Sequence, residues 1–145
     1  MLDSYLAKIQ EDGGAFLVTF PEIPEAITGG ASLEEAVANA HEALELALLT
    51  YAADGTTIPA AERQPSRGGS YRRIPVPAAV AAKIAFIVAF RESGMTRVAL
   101  AAKLGKAETE VRRMLDPYHQ TKLPAIEAGL RALGKRLVIS VEEAA

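Results

Sequence analysis

Residues 15–37, AFLVTFPEIPEAITGGASLEEAV, change period partway along. Phe16–Phe20 alternates apolar and polar with period two, the pattern of a half-buried strand. Pro21 and Pro24 cannot donate ladder hydrogen bonds, so Phe20-Pro21-Glu22-Ile23-Pro24-Glu25 reads as an elbow at a strand end or edge. A third short strand is expected near Ala26–Thr28. Ser32 then stands three residues before Glu35, the spacing in which each side chain satisfies the other's orphan backbone N–H. From there the period is helical: Leu33, Val37, Ala40, Leu44, Leu48 and Tyr51 define one buried face, and Asp54-Gly55 ends the helix. A strand turning into a helix at this point makes the first half α+β. The helix turns Glu34, Glu35, Glu42 and Glu45 outward with no Lys or Arg among them. That face is strongly negative.

Upstream, Tyr5–Gln10 also alternates, and Glu11-Asp12-Gly13-Gly14 is a turn sequence, so a hairpin precedes the elbow. The Gly-Gly pairs beginning at 13, 29 and 68 all read as turns. Residues 54–73 are rich in Thr, Pro, Gly, Ser and Arg and read as a loop or linker. Tyr71–Val76 is a candidate fourth strand, closing the first sheet or leading into a second domain. Pro77 suits the first turn of a helix, and Ala78–Glu92, apolar nearly all round, is expected to lie buried in a bundle or a dimer contact.

With 145 residues the chain has room for one domain or two small ones. Half its residues are hydrophobic and 23% are charged, which excludes a disordered chain. The absence of cysteine excludes disulfides, thiolate metal sites and thiol nucleophiles. The N-terminus lacks a signal-peptide pattern. The most apolar run, Ala78–Phe90, carries Lys83 and falls short of the roughly 20 residues that span a bilayer, so the cytoplasm is expected and a membrane is not. Residues 1–71 hold 3 basic and 11 acidic residues, 3 − 11 = −8, whereas residues 72–145 hold 13 and 7, 13 − 7 = +6. Such halves suit different partners, a basic one for the first and a polyanion for the second.

The strongest local signal is residues 96–117, TRVALAAKLGKAETEVRRMLDP. Two short helices, Arg97–Leu104 and about Ala107–Leu115, flank Gly105. Ala101 permits their close approach, Gly105 supplies the turn, and Val111 and Met114 point back to the core with Leu100 and Leu104. This is helix-turn-helix spacing. Its second helix offers Ala107, Glu108, Thr109, Arg112 and Arg113 to double-stranded DNA. Arg112 and Arg113 suit guanine edges, and Thr121 and Lys122 in the loop beyond suit phosphate. Pro124–Leu133 forms a further helix stopped by Gly134. Lys135–Val141 reads as a strand without a neighbour, which a second copy or Tyr71–Val76 would supply.

Other chemistry finds little support. HExxH, P-loop and GxGxxG patterns are absent. His41, on the flank of the apolar helix face, reads as a partly buried structural residue, and His119 as loop structure or a phosphate contact. A two-metal nuclease needs carboxylates converging from strand centres. The first strand presents Lys8 and Gln10 there, while Asp3, Glu11 and Asp12 lie at strand ends or in the turn, away from Glu45. No catalytic residue, metal or cofactor is expected. A stand-alone transcription regulator with an N-terminal ligand-sensing domain is the alternative to a protein-docking role.

Both halves, in this order, resemble the HicB family of antitoxins, in its helix-turn-helix branch. The N-terminal likeness rests on Tyr5–Gln10, the Phe20–Pro24 elbow, Thr28-Gly29-Gly30 and Leu33-Glu34-Glu35-Ala36. The C-terminal likeness rests on Lys83, Leu100–Gly105, Val111–Pro117 and the ending Gly134–Val141. The family often has Asp where this chain has Glu22, and Gly where it has Ala26. The resemblance implies an α+β chain. A partial RNase H-like β-β-β-α-β domain over residues 1–71 would neutralise a small basic mRNA-cleaving HicA toxin. An all-α helix-turn-helix domain of the Xre/Cro type over residues 72–145, with its C-terminal strand, would dimerise and repress the operon at its operator. Pairing of dimers into tetramers stays open. Phe20, Glu22, Ile23, Glu25, Glu34, Glu42 and Glu45 are the expected toxin contacts.

Overall fold

The computed structural model describes residues 2–61 and 70–144, which form two compact units dividing between Ala81 and Ala82. The first holds strands β1 (Ser4–Asp12), β2 (Ala15–Thr19) and β3 (Ile27–Gly30), helix α1 (Leu33–Asp54) and strand β4 (Ser70–Pro75). They make one antiparallel sheet in the order β3-β2-β1-β4. Gly13 and Gly14 join β1 to β2 in the expected two-residue turn, with φ of 59° and 85°, a conformation that a Cβ resists. β4 pairs with β1, Tyr5 opposite Ile74, so Tyr71–Val76 closes this sheet. The loop expected over 54–73 therefore gives way to strand at Ser70. Arg63, Arg67 and the Gly-Gly pair at 68 lie outside the described residues.

Register decides which sheet face is buried. Tyr5 faces Ile74 and Ile9 faces Val18, and with Ala7 these side chains are sealed from water. α1 packs against β3, β2 and β4 through Ala36, Ala40, Leu44, Ala47, Leu48, Tyr51 and Ala52. Each fully buried leucine there is worth about 1.5–3 kcal/mol of transfer free energy. The observed stripe differs from the expected one at its start, where Leu33 is exposed and Ala36 takes the core position. Gly30 supplies the reason. A Cβ on Gly30 would lie 2.5 Å from the Ala36 backbone N, so β3 and α1 touch backbone to backbone and only small residues fit. Gly29 and Gly30 are thus strand residues of close approach and not the turn that their sequence suggests. Asn39 fastens the contact by donating from Nδ2 to the Gly29 carbonyl at 2.8 Å.

The second unit is helical: most of α2 (Ala78–Ser93), then α3 (Arg97–Leu104), α4 (Glu108–Met114) and α5 (Leu123–Ala132). Its core gathers Ala82, Phe86 and Ala89 of α2, Leu100 and Ala101, Val111 and Met114, Ile126 and Leu130. Thr96 caps α3 by accepting from the Ala99 N–H at 3.1 Å. Gly105, at φ 65°, ends α3 in the left-handed conformation, with its N–H turned to the Ala101 and Ala102 carbonyls. Gly129 admits the Phe86 ring edge, which a Cβ would meet at 2.5 Å.

The strand expected over Lys135–Val141 is not formed. Residues 135–144 carry no regular secondary structure, and the helical unit offers no strand among its described residues for them to pair with.

Candidate functional site

The elbow is built from the inside. Phe20 is 1% exposed and Ile23 fully enclosed. Two tight turns link them, Ile23 N–H to the Phe20 carbonyl at 3.1 Å and Ala26 N–H to the Ile23 carbonyl at 2.9 Å. With the apolar pair anchored inward, Pro21, Pro24 and Glu25 are left on the outside and Glu22 half-buried. Phe20 and Ile23, expected among the contact residues, therefore hold the elbow and present no surface. Behind it, the Tyr51 hydroxyl of α1 donates to the Glu25 carboxylate. Burial first, and Glu25 second, push the Tyr51 phenol up to about 12. Tyr5 donates to the Pro59 carbonyl at 2.6 Å. Burial and the charge of Glu22 raise it likewise to about 12. Both phenols stay protonated at neutral pH.

Along α1, Glu34 and Glu42 are exposed and Glu45 half-buried. At 3.6 residues per turn these three fall within an arc of about 80°, spread over roughly 16 Å of helix. His41 lies in the same stripe and is exposed, not partly buried as its flank position suggested. The ion pairs Arg97–Glu108, Lys106–Glu110, Arg112–Glu108 and Arg131–Glu127 all belong to the helical unit, and the α1 glutamates enter none of them. The result is an acidic stripe running up from the elbow. Among the described residues no group of three or more His, Asp or Glu is gathered closely enough to hold a metal ion.

The basic surface centres on α4. Ala107 is its N-cap and offers no side-chain cap bond; Thr109, Arg112 and Arg113 are exposed. Glu108 is half-buried between two arginines, Arg97 Nε at 3.3 Å and Arg112 Nη2 at 3.1 Å. Arg97, from the first turn of α3, went unnoticed in the sequence, because nothing local says that the first turns of α3 and α4 lie side by side. Lys122 is exposed and precedes α5 as its N-cap. Thr121 points the other way. Lys83, 4% exposed, donates from Nζ to Thr121 Oγ1 at 2.5 Å and to the Met114 carbonyl at 2.8 Å. One buried lysine on α2 thus ties the last turn of α4 to the loop that follows.

Burial pushes the Lys83 ammonium down from 10.5 to about 8, against the opposing pull of Asp116. Between these values the unfolded chain keeps the proton and the folded chain releases it, so stability rises with pH across about pH 8 to 10.5. The total is on the order of 3 kcal/mol. Urea unfolding of the wild type and of Lys83→Met, followed over that range, should give a difference that climbs in the wild type's favour. A difference independent of pH would show that the lysine carries no buried charge.

The fold and its surfaces define a two-unit α+β protein, an acidic sheet-and-helix unit followed by a basic helical one. The chain belongs to the HicB-like antitoxin family, since a family model described as "HicB_like antitoxin of bacterial toxin-antitoxin system" matches residues 4–85. Similarity continues beyond that segment. An antitoxin HicB of Pseudomonas fluorescens (strain Pf0-1) is 34% identical over 140 residues, covering 97% of this chain and 94% of its own. An antitoxin HicB of Escherichia coli (strain K12) is 38% identical over 125 residues, 86% of this chain and 88% of its own. Antitoxin HicB 2 of Photorhabdus laumondii is 36% identical and covers 92% of both chains. No helix among the described residues is long and apolar enough to cross a membrane.

Proposed function

We propose that this antitoxin works in the cytoplasm through two surfaces. The sheet-and-helix unit, read as a partial RNase H-like domain, binds and silences a small basic mRNA-cleaving toxin of the HicA type. The contacts are Glu22, Glu25, Glu34, Glu42 and Glu45. The helical unit, read as a helix-turn-helix domain of the Xre/Cro type, pairs with a second copy and represses the operon through operator DNA. There Arg112 and Arg113 read base edges, while Thr109 and Lys122 stand beside the backbone. The observation that carries this reading is the acidic stripe of α1, which has no Lys or Arg within its helix and is matched in sign to a cationic partner. Opposite charge speeds encounter, whereas like charges across an interface cost several kcal/mol.

Reversal of the stripe tests it. Co-expressed with a HicA-type toxin, wild type should relieve growth arrest, and Glu34→Lys/Glu42→Lys/Glu45→Lys should not. Complex affinity should fall by about 100-fold or more in the triple variant, with circular dichroism and operator binding unchanged. Full relief of arrest by that variant would place the toxin contact elsewhere.

A further inference from the structure

The carboxylates proposed to meet the toxin are not held alike. Glu34 and Glu42 project from exposed positions of α1 and Glu45 from a half-buried one, in a helix without Lys or Arg. Glu25 is exposed too, yet its carboxylate accepts from the Tyr51 hydroxyl. Tyr51 is itself fixed. Only 8% exposed, it lies in the last turn of α1, where its carbonyl accepts from the Gly55 N–H that closes the helix. The same carbonyl accepts from the Thr56 N–H at 3.0 Å. On the elbow side, the Ala26 N–H donates to the Ile23 carbonyl at 2.9 Å across Glu25, and the Pro24 ring fixes the φ before it. One surface glutamate is thus pinned at both backbone and carboxylate.

We infer that Glu25 is a fixed receptor for a basic side chain of the toxin, positioned by Tyr51, while Glu34, Glu42 and Glu45 act mainly by drawing the toxin in. The inference rests on the toxin-binding reading above and divides its acidic surface into two roles.

The choice of a phenol supports the first role. A mobile glutamate loses rotamer freedom when a partner immobilises it. At Glu25 that freedom is lost on folding, so docking loses less. Tyr51 remains a protonated, neutral donor, its phenol pushed up to about 12 by burial and then by Glu25. It therefore orients the carboxylate and leaves the negative charge for a partner. Glu108 shows the opposite arrangement, since Arg97 and Arg112 hold it and offset its charge. A carboxylate also has about four acceptor positions, so the one hydroxyl leaves room for an ammonium or a guanidinium. The second role needs no fixed geometry. Charges act over a screening length of about 10 Å at 0.1 M salt. Peripheral charges of that kind set the association rate and its salt dependence, whereas a hydrogen-bonded charge pair sets dissociation.

Rate constants separate the roles, with a catalytically inactive HicA-type toxin on a sensor surface and the full-length antitoxin in solution. Glu25→Ala and Glu25→Gln should each raise koff about tenfold or more, with kon within about twofold of wild type. Glu34→Gln/Glu42→Gln/Glu45→Gln should lower kon about tenfold at low salt and flatten its salt dependence, with koff within about threefold. Tyr51→Phe keeps the ring and removes the hydroxyl. It should raise koff about fivefold in the wild-type background and change nothing once Glu25→Ala is present. An equal loss in both backgrounds is what a purely structural Tyr51 would give, and it would overturn the positioning role. Unchanged koff in both Glu25 variants would overturn the receptor, while slower association of the triple variant would leave the toxin-binding reading standing. A wild type that captures no toxin would overturn that reading as well.

Discussion

Replacing Phe20 with alanine should cost about 3–5 kcal/mol of stability, the loss typical of a large aromatic removed from a closed core. Phe20 is 1% exposed and lies at the junction of β2 with the elbow. The Ile23 and Ala26 turns depend on where its backbone sits. Small domains hold only about 5–15 kcal/mol in all, so the sheet unit would be partly unfolded at 37 °C. Glu25→Gln, by contrast, changes an exposed side chain and leaves an amide oxygen to accept from the Tyr51 hydroxyl, so it should shift the urea midpoint little. The comparison separates anchor from contact. As an anchor, Phe20 loses partner binding only in step with folding, and binding returns on cooling or with a stabilising osmolyte. Unchanged urea unfolding together with lost partner binding would make Phe20 a surface contact after all.

That outcome bears on what a sequence displays. The hairpin at Gly13-Gly14, the capping box of Ser32 and Glu35, and the Gly105 turn were all legible, because each is a local transaction among neighbours in the chain. The Ser32 hydroxyl accepts from the Glu35 N–H as the spacing requires. Long-range contacts left no such mark. Gly29-Gly30 looked like any turn, since its need for glycine comes from distant backbone, the Phe16 carbonyl of β2 beside Gly29 and the Ala36 N–H of α1 beside Gly30. Phe20 and Ile23 looked available because an elbow is normally exposed, and only the closed sheet shows that it is nailed down from within. Thr121 looked like a phosphate ligand until Lys83, 38 residues away, claimed its hydroxyl. The C-terminal strand is legible in composition alone, but a strand is a relation between two segments, and the helical unit offers no second one among its described residues.

The same distinction governs the proposed DNA surface, where the exposed side chains are not equally free. Arg112 is held at 3.2 and 3.1 Å by the two Glu108 oxygens, and Arg97 holds Glu108 from the other side. To reach a guanine edge Arg112 must exchange that carboxylate for the base, so part of its gain is already spent. Arg113 is exposed and enters none of the ion pairs described. A bidentate arginine is worth about 1–3 kcal/mol, so Arg113→Ala should weaken operator binding by roughly 5- to 150-fold and Arg112→Ala should sit at the lower end. The double variant should lose roughly 30-fold to 10^4-fold, with partner capture by the acidic unit unchanged. Glu108→Gln should move the other way, because it frees Arg97 and Arg112 and removes a negative charge facing phosphate. Its signature is a steeper fall of affinity with salt, as more counterions are released on binding. Fluorescence anisotropy on operator DNA across a salt series reads the wild type and all four variants. Equal affinity and equal salt slope in wild type and the double variant would take α4 out of the groove.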